Sequence, residues 1–236
     1  MKKAFQALAI LALSSGVALA STPVEIMAPI DHIYSPKGFD SNDNTEVIIE
    51  GYLPNLCHKA PNSEVKIEGN KINIKVTALR YHPSNPFCPE AIVPFVETVK
   101  VGLLDKGNYD IVVNGKSLYE KRGQIEVAEA TSNSVDEHVY ANVEYVQKQA
   151  DSREIVLKGY NPSDCFVLDE VNVVDNGKDV YSILPKMKQI SDFCPMKLVP
   201  FSYKMEVPNN LKQDRVLLHV RAMNGLSVNS LFHNAK

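Results

Sequence analysis

This 236-residue sequence predicts an all-β protein: two tandem antiparallel β-sandwiches of immunoglobulin-like or fibronectin-like type behind a cleaved leader. Three observations predict it. The chain is written twice, its apolar residues recur with period two and nowhere hold a helical period for three turns, and Gly, Pro and Asn turns divide each copy into about seven short segments. The duplication is legible in Gly51-Tyr52-Leu53-Pro54 and Gly159-Tyr160-Asn161-Pro162, each closing an apolar run. It continues in order through Cys57 and Cys165, Phe87-Cys88-Pro89 and Phe193-Cys194-Pro195, Val93-Pro94-Phe95 and Val199-Pro200-Phe201, and Asn114-Gly115 and Asn224-Gly225. A pattern that recurs in order over a whole copy is the signature of a repeated structural unit.

Residues 1–20 run from Lys2-Lys3 through an apolar stretch to Ala18-Leu19-Ala20. That is the order of a secretory signal peptide ending in an Ala-x-Ala cleavage site, so the mature chain is expected to begin at Ser21 and to be periplasmic or secreted. The apolar run is well short of the roughly 20 residues that cross a bilayer as a helix. A Ser after the cut, where a lipoprotein has Cys, argues against a lipid anchor.

His32-Ile33-Tyr34 and His138-Val139-Tyr140 open the aligned copies, which places module one at residues 21–128 and module two at residues 129–236. The small polar stretch at residues 128–134 has the composition of a short flexible linker. In module one, Val65 and Ile67, then Ile72, Ile74 and Val76, alternate with polar residues about Gly69-Asn70, which predicts a hairpin. Module two repeats the device with Val171, Val173 and Val174 before Asp175-Asn176-Gly177, and Val180 and Ile183 after it. Phe201, Tyr203, Met205 and Val207 then alternate with Ser202, Lys204 and Glu206, one face inward and one outward. Closing strands are expected over residues 109–113 and 117–127 in the first copy and 216–221 and 226–232 in the second. The chain has no Trp and so lacks the core Trp of antibody domains.

All four cysteines lie in the exported part, two per copy, 31 and 29 positions apart. An even count, repeated placement and an oxidising destination predict the bridges Cys57 to Cys88 and Cys165 to Cys194, because only this pairing gives each copy its own staple. The Cys-x-x-Cys spacing of a catalytic dithiol is absent. Cys57, His58, His82 and Cys88 are donor types that suit zinc, but their spacing fits no compact zinc motif, and module two has Phe166 where module one has His58. Staples, with no metal or other cofactor, are the expectation.

The formal net charge is −3, two units more negative once Lys2 and Lys3 are removed, with signs interspersed. Such a chain carries no electrostatic footprint for nucleic acid or an anionic membrane surface, and neither those partners nor membrane insertion is expected. No nucleophile elbow, His-Glu-x-x-His pair, phosphate-cradling glycine loop or Asp-rich calcium loop occurs, so no catalytic residue is assigned. Positions shared between the copies build the fold, and unshared loop positions are free to bind. On that reasoning the candidate binding residues are His58 and Lys59 in one loop and Arg80, Tyr81, His82 and Phe87 in another, tied by the first bridge. The competing reading is an ordinary solvated loop. His32 and His138 read as half-buried histidines at strand starts, Glu97 as a carboxylate wetted at a sandwich end, and Asp136-Glu137 and Asp169-Glu170 as solvated charges.

The order Gly-Tyr-x-Pro-x-x-Cys, Cys-Pro, Val-Pro-Phe, with Gly107-Asn108-Tyr109 in the first copy, resembles that of bacterial exported proteins built from tandem disulfide-bonded Ig-like β-sandwich modules. The resemblance implies a fold and a compartment, and no activity. In architecture alone the plan is also similar to the periplasmic chaperones of pilus assembly. The expected function is an exported, non-enzymatic binding protein of the cell envelope, recognising protein or glycan through strand edges or the stapled loops. An envelope hydrolase with an unrecognised site and a secreted protease inhibitor are the alternatives.

Overall fold

A computed structural model describes residues 22–81, 87–132, 134 and 136–234. The predicted leader and His82 lie outside the described residues. The chain is all-β; the one helical element among the described residues is a 3-10 turn at Met223–Gly225.

The first half contributes two sheets. One is β2 (Ile30–Tyr34), β4 (Thr45–Leu53) and β7 (Val93–Gly102), in that order. The other joins β5 (His58–Glu68), β6 (Lys71–Arg80), β8 (Gly107–Val113) and β9 (Lys121–Ala128), with the short β1 (Val24–Met27) and β3 (Phe39–Asp40) added to β6 and β9. The second half repeats both sets. β10 (Val143–Lys148), β11 (Glu154–Asn161) and β14 (Val199–Glu206) form one sheet; β12 (Phe166–Asp175), β13 (Val180–Gln189), β15 (Arg215–Ala222) and β16 (Leu226–His233) form the other.

The predicted hairpins are present. Glu68 pairs with Lys71 across the two-residue turn at Gly69-Asn70, where Gly69 takes φ +57°. Asp175 pairs with Tyr181, and Asn176 Oδ1 accepts the backbone N–H groups of Lys178, Asp179 and Val180 at 2.9, 2.8 and 3.0 Å, which fixes the turn. One expectation is corrected in each half, because the sheets are not purely antiparallel: β6 runs parallel to β8, and β13 to β15. After the hairpin the chain crosses to the facing sheet as β7 or β14 and then returns, so the returning strand runs in the direction of the one it left.

The repeated Gly-Tyr step has a steric cause. A Cβ on Gly51 would meet Pro29 O at 2.4 Å and the Phe95 ring at 2.7 Å; one on Gly159 would meet Asn142 O at 1.9 Å. In both halves the preceding chain crosses so close to the strand that only glycine fits.

Each half has its own apolar core. Val47, Ile49, Ile72, Ile74, Ile111 and Val113 are among the residues that fill the first, and Ile155, Leu157, Ile183, Val216, Leu218 and Val220 among those that fill the second. Strand alternation then has a consequence that the sequence reading missed. Val47 and Ile49 of β4 face the first core, yet Glu46, Ile48 and Glu50 on the opposite face are buried too. β15 behaves alike, with Leu217, His219 and Arg221 buried on the face away from the second core. These two outer faces meet. Tyr34, Ile48, Val180 and Leu217 form a small apolar cluster between them, with Leu231 packed against it.

Candidate functional site

The candidate binding residues begin where β4 leaves its sheet. The disulfide Cys57–Cys88 is formed, with Cα atoms 5.8 Å apart, and Cys165–Cys194 repeats it at 5.5 Å. Asn55 organises the first loop, its Oδ1 accepting from Cys57 N at 3.1 Å and from His58 Nδ1 at 2.7 Å. Tyr81 N donates to Cys57 O at 2.8 Å, just as Ile190 N donates to Cys165 O at 2.8 Å. A cross-link, a short backbone ladder and an internal Asn clamp therefore hold this end rigid.

The six candidates do not share one role. His58 is only 6% exposed at the start of β5 and is committed to Asn55, so it supports the loop and presents no imidazole to a ligand; burial, with Arg80 nearby, keeps its pKa below the ordinary histidine value. Lys59 extends over the Tyr81 ring at 5.7 Å from its centroid. Arg80 ends β6 opposite His58. Phe87 is 86% exposed.

The corresponding residue of the second half behaves the same way. Phe193 is 82% exposed, and with it Ile190, Met196 and Leu198 stand out on the nine-residue stretch that carries Cys194, Met196 at 96% and Leu198 at 76%. Leu56 and Ile92 are exposed beside the first bridge. This overturns the premise that shared positions only build the fold. The Phe of Phe-Cys-Pro is shared, and it is displayed in both halves. Large apolar side chains exposed close to the bridge are thus common to both halves.

The second notable group lies between the two outer faces and includes Asp136, expected from the sequence to be a solvated charge. Arg221, 4% exposed, donates from Nη1 to Asp43 Oδ2 at 3.0 Å and from Nη2 to Asp43 Oδ1 and, at 2.7 Å, to Asp136 Oδ1. Its guanidinium lies 5.3 Å from the centroids of both Phe39 and Tyr140. Burial opposes its charge, but the Asp43 hydrogen bonds and charge outweigh this and raise its pKa. Asp136 also accepts from Gly225 N at 3.0 Å. Alongside, Glu46 Oε1 accepts from Ser227 Oγ and from Asn229 Nδ2 at 2.9 Å and lies 3.3 Å from His219 Nδ1. Burial pushes that carboxyl up, but the His219 hydrogen bond and charge, with those of its other donors, bring it down to about 2. Arg215 pairs with Glu50, which also accepts from Tyr34 Oη at 2.9 Å.

His32 donates to Asp179 Oδ2 at 2.7 Å, so it is half-buried and hydrogen-bonded as expected, but to the other half of the chain. His138 is exposed and precedes β10, so the expected likeness to His32 fails there. Glu97 is half-buried and accepts from Ser63 Oγ at 3.4 Å. The sequence signal for the ionic group was available: His219 and Arg221 sit two apart in a run that is otherwise wholly apolar, as in a strand buried on both faces. No group of three or more His, Cys, Asp or Glu among the described residues is arranged to hold a metal.

Residues 47–127, from β4 to the end of β9, match the family described as ORF11 beta-sandwich domain. A 10.2 kDa protein of the HgiBIM 5' region of Herpetosiphon aurantiacus is 38% identical over 69 residues, covering 29% of this chain and 82% of the relative. A second, from the HgiEIM 5' region, gives the same figures, and a third, from the HgiCIIM 5' region, is 36% identical over 69 residues, 29% of this chain and 71% of its own length. All three are described as uncharacterized. No solved structure matches the chain. The chain belongs to the family of these small Herpetosiphon proteins, and at residues 47–127 it carries an ORF11 β-sandwich domain.

Proposed function

We propose that the protein is an exported, non-enzymatic interaction protein of the cell envelope, made of two tandem Ig-like β-sandwich modules that each present an apolar loop to a protein partner. The modules are residues 21–128 and 129–236, and the leader is removed after Ala20. Two features support the tandem reading: the strand order recurs in both halves, and each half has one bridge in the same place. Ig-like here means the two-layer architecture, since both halves contain parallel strand pairs. Paired cysteines favour an oxidising compartment.

The observation that carries the function is the repeated exposure of Phe87 and Phe193 beside the bridges. A fully exposed large side chain forgoes about 1.5–3 kcal/mol of burial, a cost that a partner recovers. The ionic group between the halves is no catalytic centre in this reading, because its charged groups are spent on one another and on hydrogen-bond donors inside the packed interface.

The test is mass spectrometry of the protein purified from its own envelope under alkylating, non-reducing conditions, for the native chain and for Phe87→Ser with Phe193→Ser. The reading expects a chain starting at Ser21, both bridges intact, and a co-purifying protein that the double variant loses. A chain retaining its leader, free thiols, or a partner indifferent to both substitutions would contradict it.

A further inference from the structure

We propose that a groove spanning both halves binds an acidic oligosaccharide, one whose sugars carry carboxylate or phosphate groups. This site contains none of the stapled-loop residues and is independent of the protein-binding reading. The groove has a volume of about 780 Å³ and opens between the outer surface of β8 and β9, the segment after β2, and the β12–β13 turn.

Its walls are fixed before any ligand arrives. Asn176 Nδ2 donates to Ser35 O at 3.2 Å, Lys37 N to Ser182 Oγ at 3.2 Å, and His32 to Asp179 at 2.7 Å, so the turn of the second half is bolted to the first. Gly123 of β9 lets the segment after β2 lie close, because a Cβ there would come within 3.2 Å of Ser35 Oγ. Ile33, Ile111 and Ile125 border the groove but belong to the first core, so packing braces its wall from behind. A preformed cleft of this kind avoids the ordering cost of binding.

Its charge is the reverse of the chain's. The protein carries −3 overall, yet four cations line the groove, Lys37, Lys71, Arg122 and Lys178, all exposed. Lys37 and Lys71 form no salt bridge among the described residues. Of the three carboxylates present, Asp179 is occupied by His32 and by Asn176 Nδ2 at 2.9 Å, and Asp110 by Gln124 Nε2 at 2.9 Å; Glu126 is the third. Arg122 is shared with Glu120, and Lys178 approaches Asp179 at 3.4 Å. Ammonium groups distributed along a cleft and separated by amides suit an extended polyhydroxylated anion, with charge-assisted bonds at its acid groups and amide bonds at its hydroxyls. Among the described residues no aromatic side chain lines the groove, which disfavours a neutral sugar held by ring stacking.

Calorimetry with the full mature chain tests this at low and at physiological salt. The probes are hexagalacturonate, a phosphorylated mannose oligosaccharide, neutral maltohexaose and an oligothymidylate of matching charge. At least one acidic sugar is expected to bind, more weakly as salt rises, and to lose tenfold or more in Lys37→Glu and Lys71→Glu while Lys212→Glu, exposed and outside the groove lining, leaves it unchanged. Which acidic sugar binds more tightly distinguishes carboxylate from phosphate recognition. Silence from both acidic sugars, equal binding in the lysine variants, or equally tight binding of maltohexaose or the oligothymidylate would overturn the assignment. Circular dichroism of each variant confirms that the fold is retained.

Discussion

Replacing Arg221 with Met tests whether the two halves are locked together by charge. Met keeps most of the buried volume and leaves Asp43 and Asp136 facing each other without their cation. Breaking a buried ion pair by removing one partner costs about 3–5 kcal/mol, because the remaining charge is stranded away from water. For a domain pair of this size, each kcal/mol lowers the melting temperature by about 2–4 °C, so a drop of about 10 °C is expected. Urea denaturation followed by circular dichroism at pH 7 reads the same loss. Adding Asp43→Asn and Asp136→Asn removes the stranded charges while keeping acceptors for Asp40 N and Gly225 N, and most of the loss should return. A loss under about 1 kcal/mol in the single variant, or no recovery in the triple variant, would show that the Arg221 ion pairs do not hold the halves together.

Four further outcomes follow from the same geometry. Burial, then the charges of Asp43 and Glu137, pushes the Asp40 carboxyl from its ordinary 3.8 up to about 6. The folded chain thus holds that proton more tightly than the unfolded one. Asp40 contributes stability below about pH 4 that fades as the pH rises through 6, and Asp40→Asn should flatten the stability profile over that window. Glu46 works in the opposite sense: lowered to about 2, it contributes stability that is full above its ordinary 4.5 and fades as the pH falls toward 2, so Glu46→Gln should mainly cost stability above pH 4.5. Gly159→Ala should destabilise by about 3 kcal/mol or more, since its Cβ would collide with Asn142 O, a backbone atom that cannot swing away; thermal melts compare it with Gly177→Ala, where nothing crowds the added carbon but φ is +75°. Cys57→Ala with Cys88→Ala opens a loop of separation 31 and should cost about 3–4 kcal/mol in the chain-entropy account, measured by denaturation of the oxidised parent and the double variant.

Most of the fold was legible because period-two alternation and the Asn-Gly and Gly-Asn turns are local signals. β15 and β16 were expected at residues 216–221 and 226–232 and occur at Arg215–Ala222 and Leu226–His233. The staples were legible because placement in both copies left one economical pairing. The parallel pairs were not, since nothing local in β6 or β13 records which strand will return beside it. The candidate site was half legible. Phe87 is exposed, but His58 turns inward to Asn55, a contact that depends on the loop's path more than on its composition. The packing of one half on the other was missed for a definite reason. Glu46 and Glu50 share a face of β4 and read as its polar side, and only the buried His219 and Arg221 and the more exposed Arg215 of the partner sheet explain why they are inside.

We propose that the paired Phe-Cys-Pro loops are the working surface, which photocrosslinking in living cells tests with a benzophenone amino acid at position 87, at position 193, and at the exposed Lys212 as a control. The account expects adducts with an envelope protein from positions 87 and 193 and none from 212. Adducts from 212 alone, or none from either loop, would contradict it.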